Sequence, residues 1–136
     1  MKRSLSIICV FFIVFLLSGC GKSSFDGSRT GNDSQFVMKY KIFNTTDEQS
    51  LFLESGDTIR TEVIVDSGKL SIKIQKDSDT PIYERDDIVT SENFDVEIQE
   101  SGTYKITVIG ENTKGGVNFK KLMERKRNRK KHNKDK

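Results

Sequence analysis

Side-chain catalysis needs a base, a nucleophile or a metal ligand set held in place, and this sequence is sparing with all of them. Its one histidine is His132, set in a run of Lys and Arg near the C-terminus, and its two cysteines are Cys9 and Cys20. A Ser–His–Asp or Cys–His arrangement and a His/Cys zinc site therefore have no material to form from. No G-x-S-x-G, phosphate-binding loop or dinucleotide glycine pattern occurs, and no cofactor is implied. What remains are carboxylates: Asp77 and Asp79 in one stretch, Glu84, Asp86 and Asp87 in another. A carboxylate pair suits glycoside hydrolysis where a deep cleft presents the substrate. Oxygen ligands spaced as in Asp77-x-Asp79 suit calcium, although the full EF-hand spacing is missing. The plainer reading is a pair of solvated acidic loops.

The second chemical feature is charge. Residues 120–136, KKLMERKRNRKKHNKDK, hold ten Lys and Arg against Glu124 and Asp135. Such a run cannot form a core and reads as a solvated tail, disordered or partly helical. Lys120, Lys121, Arg125, Lys126, Arg127, Arg129, Lys130 and Lys131 are its candidate contacts with an anionic polymer or membrane surface. Each cation near an anionic surface is worth about 1 kcal/mol. The tail has no aromatic residue to stack bases and no recognition motif, so specific nucleic-acid reading is not expected.

The 136 residues, with a formal net charge of +3, allow one domain and exclude a large multidomain enzyme. The charge is unevenly placed. Residues 20–119 carry 11 basic and 18 acidic residues, so an acidic middle precedes the basic tail. From Phe36 the apolar residues alternate with polar ones: Phe36, Met38, Tyr40 and Ile42; Ile59, Thr61, Val63 and Val65; Leu70, Ile72 and Ile74; Phe94, Val96 and Ile98; Tyr104, Ile106 and Val108. Period two marks strands with one wet face. Shorter candidates are 51–53, 81–84 and 117–119. Asp66-Ser67-Gly68 predicts a tight hairpin between two of the strands, and Ser55-Gly56-Asp57, Asp77-Ser78-Asp79 and Ser101-Gly102 predict further turns. Alanine, the best helix former, is absent from the whole chain. The expected fold is all-β: a single antiparallel β-sandwich or jelly roll of seven to eight short strands over 36–119. Tyr40 and Tyr104 fall on apolar faces, Tyr83 and Phe52 are the aromatics expected outside, and Gly102-Thr103-Tyr104 predicts a tyrosine-corner lock.

The N-terminus sets the compartment. Lys2 and Arg3 precede an apolar run from Ser4 to Leu17, whose helix would rise about 21 Å, short of the roughly 30 Å hydrocarbon core. Together these features make a signal peptide over 1–19. Leu17-Ser18-Gly19-Cys20 closes it and resembles the bacterial lipobox. That resemblance implies a diacylglyceryl group on Cys20, cleavage just before it, and a mature chain held to the membrane outside the cytoplasm. Cys9 would leave with the signal, so the mature chain would have no disulfide. Residues 20–35, rich in Gly, Ser, Asp and Asn, are expected as a lipidated flexible tether of about 20 Å.

The stretch 56–75, the strand around Phe94, then ESGTYKITVIG (100–110) and GGVNF (115–119) are similar to compact sandwich domains of small lipoproteins of low-GC Gram-positive bacteria. They resemble more loosely GOLD-type and pre-peptidase C-terminal sandwiches. The resemblance implies a binding or accessory module and transfers no catalytic residue. The expected function is thus a non-enzymatic, membrane-anchored module of the cell envelope, its partner an anionic envelope polymer or an envelope protein. The rival is a small carboxylate-dependent hydrolase acting on envelope or extracellular polysaccharide.

Overall fold

A computed structural model describes residues 23–124. Seven antiparallel strands fill that stretch: β1 (Ser24–Gly31), β2 (Gln35–Asn44), β3 (Thr46–Leu53), β4 (Thr58–Lys76), β5 (Tyr83–Ile88), β6 (Glu92–Glu97) and β7 (Gly102–Leu122). No helix occurs among the described residues. The alternation seen in the sequence is the burial pattern: Ile59, Val63, Leu70, Ile72, Ile74, Tyr104, Ile106 and Val108 are all buried.

Two long strands organise the sheet. β4 and β7, 19 and 21 residues long, pair along nearly their whole lengths, from Thr58 opposite Leu122 to Lys76 opposite Tyr104. Each changes its other neighbour halfway. β7 takes β3 beside residues 102–109 and β2 beside 113–120. β4 takes β6 beside 58–63 and β5 beside 70–74. The result is two halves: β1-β2-β7-β4-β6, and β3-β7-β4-β5. Their inner faces feed one core, with Phe36, Met38 and Phe119 from the first half and Leu51, Ile72 and Ile106 from the second. The architecture is a β-sandwich whose layers share their two central strands.

Asp66-Ser67-Gly68 does not make the predicted hairpin. Residues 59–65 and 70–75 belong to one strand, and the turn chemistry instead bends it. The register slips at Ser67 on both sides, and Gly68 takes φ +78° with Asn112 O only 2.3 Å from where a Cβ would stand. β7 bends alongside, through Asn112 (φ +48°) and Gly115 (φ +146°). An alternating pattern is satisfied equally by a neighbour in sequence or a distant one, so only tertiary pairing decides.

Three further expectations change. Within the expected tether, Ser24–Gly31 is a strand paired from Ser24↔Asn44 to Gly31↔Phe36. Its eight residues are all exposed, so it has no apolar alternation to betray it. What holds it is the ladder, plus Arg29, which bonds Asp47 Oδ2 and Glu48 O of β3 at 2.8 Å each and lies 4.8 Å from the Phe36 ring centre. Arg29 thereby ties the edges of the two halves together. The apolar face of β2 also shifts: a slip between Tyr40 and Phe43 turns Ile42 outward and buries Phe43 completely. Finally β7 runs to Leu122, so Lys120 and Lys121 belong to the sheet rather than to a tail.

Candidate functional site: a furrow along the seventh strand

Residues of successive strands line up in rungs across the outer face of the first half. Val37, Asn118, Glu62 and Asn93 form one rung, Lys39, Gly116 and Ile64 the next, and Gln35, Lys120, Arg60 and Asp95 the one on the other side. On β7 this face carries the small residues Gly116 and Asn118. The flanking strands carry longer ones: Val37, Lys39 and Lys41 on β2, Arg60, Glu62 and Ile64 on β4. A low strand between two high ones is a furrow.

It comprises three hollows in line. The first, of about 400 Å³, lies among Arg60, Glu62, Asn93, Asp95, Asn118 and Lys120. The second, of about 240 Å³, shares Glu62 and Asn118 with the first. A third, of about 470 Å³, shares Lys39, Ile64 and Gly116 with the second and reaches Asp26 and Asp66. From Lys120 to Gly115 the floor is six residues of β7, spanning about 17 Å in five steps of roughly 3.4 Å. Gly115 and Gly116 are fixed there by contact: a Cβ on Gly115 would stand 1.9 Å from Ile64 O, and one on Gly116 2.7 Å from Met38 O.

The charges along the furrow balance. Lys39, Lys41, Arg60 and Lys120 face Asp26, Glu62, Asp66 and Asp95. Arg60 Nε bonds Asp95 Oδ1 at 3.2 Å, and this partner raises the guanidinium pKa. In the middle, Asn118 Oδ1 is buried and has no hydrogen-bond partner among the described residues. Most buried polar atoms are paired, so this acceptor marks the rung as chemically unfinished.

The residues singled out from the sequence lie elsewhere. Asp77 (φ +47°) and Asp79 sit in the turn after β4, where Asp79 N donates to Lys76 O at 3.0 Å. Among the described residues no three His, Cys, Asp or Glu side chains gather as a metal site. Asp86 and Asp87 lie near the far end of β5, with Asp87 3.5 Å from Lys69 Nζ. The fold therefore does not unite the two acidic stretches. Lys120 lines the furrow. Lys121 is engaged: its Nζ bonds Phe52 O at 3.0 Å and lies 3.7 Å from buried Asp57 Oδ2, which also accepts from Glu54 N at 2.8 Å. Cys20, Arg125, Lys126, Arg127, Arg129, Lys130 and Lys131 lie outside the described residues.

Among the aromatics, Phe52 is exposed as expected, whereas Tyr83 stacks on Phe94 with ring centres 4.4 Å apart. Tyr104 makes the predicted lock, its hydroxyl donating to Glu100 O at 2.6 Å. Glu62, Asn93 and Asn118 were not legible as a site beforehand. The available signal was Gly115-Gly116 inside a strand pattern, which marks a bend or a close approach.

No family model and no curated protein matches the sequence. Solved structures do. A pre-peptidase C-terminal domain of a collagenase from Bacillus anthracis aligns with a TM-score of 0.45 and 13% identity, over 76% of this chain and 100% of that one. The Aeromonas hydrophila periplasmic inhibitor of g-type lysozyme aligns at 0.45 and 12%, over 78% and 93%. A carbohydrate-binding module solved in complex with β-1,4-galactotriose, TmCBM61, aligns at 0.40 and 18%, over 72% and 70%. At these identities the likeness concerns the all-β fold alone.

Proposed function

We propose that the protein is a lipid-anchored, extracytoplasmic, non-enzymatic binding module of the cell envelope, displaying the furrow on a rigid sheet. The observation that carries this reading is the strand register, which separates the two ends of the domain. Ser24 pairs with Asn44 at one end of β2, whereas Lys120 pairs with Gln35 at the other. Those ends are nine residues apart, about 30 Å. A lipid on Cys20 would stand four residues before Ser24, at most about 14 Å of chain. The bent end of the sandwich would face the membrane, and the basic segment after Leu122 would leave from the far end.

We take an anionic envelope polymer as the partner of Arg125, Lys126, Arg127, Arg129, Lys130 and Lys131, where each cation near an anionic surface is worth about 1 kcal/mol. Two experiments test the reading. Replacing Cys20 by Ser should stop acylation and release the protein from the membrane fraction; unchanged fractionation and mass would overturn the anchor. With the lipid absent from both, a chain ending at Leu122 should lose the salt-sensitive binding to anionic wall polymer that the chain with the basic segment shows. Equal polymer binding by both chains would refute the role of the basic segment.

A further inference from the structure

We propose that the furrow binds a linear, uncharged, hydroxyl-rich chain, a saccharide polymer, laid along β7 with Asn118 and Glu62 as its central contacts. The proposal deepens the binding-module reading and rests on it. A sugar hydroxyl both donates and accepts, and the central rung offers both functions side by side. The carboxamides of Asn93 and Asn118 flank the Glu62 carboxylate on neighbouring strands, supplying donors and acceptors in alternation. Asn118 Oδ1 is buried and has no partner among the described residues, so the carboxamide gains a hydrogen bond by turning toward a hydroxyl laid in the furrow.

Charge excludes the simplest competitors. The lining is balanced, so a polyanion meets Glu62 at the centre and a polycation meets Lys39 and Lys120 on either side. An extended peptide gains its affinity by adding to a free strand edge. Here the floor has none: β2, β7 and β4 are each hydrogen-bonded to a neighbour on both sides. A ligand on this face meets side chains and the Gly115–Gly116 floor rather than a free strand edge. Val37 and Ile64, the latter 41% exposed, give the furrow apolar walls against which the C–H faces of sugar rings can rest.

The test is calorimetric titration of the purified full-length protein in detergent. The probes are hexasaccharides of glucose, mannose and N-acetylglucosamine, with inorganic polyphosphate as the charged comparison. At least one hexasaccharide should bind, with little dependence on salt. Asn118→Ala and Glu62→Ala should each weaken it by about tenfold or more, and Lys73→Ala on the other half should not. Glu62→Gln keeps hydrogen-bonding capacity and should retain most of the affinity, which covers the case that Glu62→Ala misfolds. Failure of all three sugars, tighter binding of polyphosphate, or equal binding by wild type and Asn118→Ala would overturn the proposal. Membrane fractionation of the Cys20→Ser protein is read separately. No sugar binding, while Cys20→Ser still releases the protein from the membrane fraction, sinks the ligand alone; sugar binding intact, while Cys20→Ser leaves the fractionation unchanged, sinks the anchor alone.

Discussion

Along residues 113–120, β7 presents Gly116 and Asn118 to the outside between the taller side chains of β2 and β4. Along residues 102–109 the same strand presents Lys105 and Thr107 between β3 and the second half of β4. There Glu48, Thr107, Lys73 and Glu84 form a rung in which the long charged side chains cover Thr107, 6% exposed. Lys105 Nζ lies 3.9 Å from Glu48. One outer face is hollow and the other filled, although both lie on one core. The difference teaches that side-chain size at alternate positions of a central strand is enough to decide between a sealed face and a furrow. Two tyrosines repeat the contrast: Tyr104, in the second half, has its hydroxyl bonded, whereas Tyr40, in the first, has a buried hydroxyl with no partner among the described residues.

The shared core can be broken from either side. Ile59→Asp in the first half and Ile72→Asp in the second place a charge where both residues are at most 1% exposed. Each should cost about 4 kcal/mol or more, measured by denaturant unfolding. A large loss at one site only would mean that the halves fold independently. Next in size is Gly115→Ala, which meets both a positive φ and the Ile64 carbonyl. It should cost roughly 3 kcal/mol, and a neutral result would show that the bend under the furrow is not required.

The tyrosine pair gives a smaller and opposite-signed comparison. Tyr104→Phe should lose about 1 kcal/mol, whereas Tyr40→Phe, which removes an unpaired buried hydroxyl, should be neutral or slightly stabilising. Burial pushes both phenols above their ordinary value. Because the folded pKa lies above the unfolded one of about 10, the stability involved is complete below that pH and is lost as pH rises through the folded value. Alkaline unfolding should therefore move to higher pH in Tyr40→Phe; an unchanged midpoint would remove Tyr40 from the account. The smallest effect is Lys73→Asp on the filled face, opposite Glu84, which should cost under about 1 kcal/mol.

Much of this was legible in residues alone. Tyr104 could be read as a lock from Gly102-Thr103-Tyr104, and the buried members of β4, β6 and β7 from their alternation. Ser24–Gly31 could not be read, because an exposed edge strand is held by backbone bonds that leave no apolar trace. Nor could Ile42 and Phe43 be sorted, since one slipped residue inverts every side chain after it. Glu62, Asn93 and Asn118 stand 56 residues apart in sequence at their extremes and are polar residues like many others; adjacency alone makes them a site.

The sequence by itself determined that residues 36–119 are all-β and, Ile42 and Phe43 apart, which residues of their main strands face a core, with no alanine and no 3.6-residue period in that stretch to compete. These are local properties, set by period, composition and turn residues. Tertiary structure decided which strands are neighbours, that Asp66-Ser67-Gly68 bends a strand instead of ending it, and which face is hollow. The physical reason is that hydrogen-bond partners in a sheet are chosen by geometry across the whole chain. A rung such as Val37, Asn118, Glu62 and Asn93 exists only once four strands have found their register.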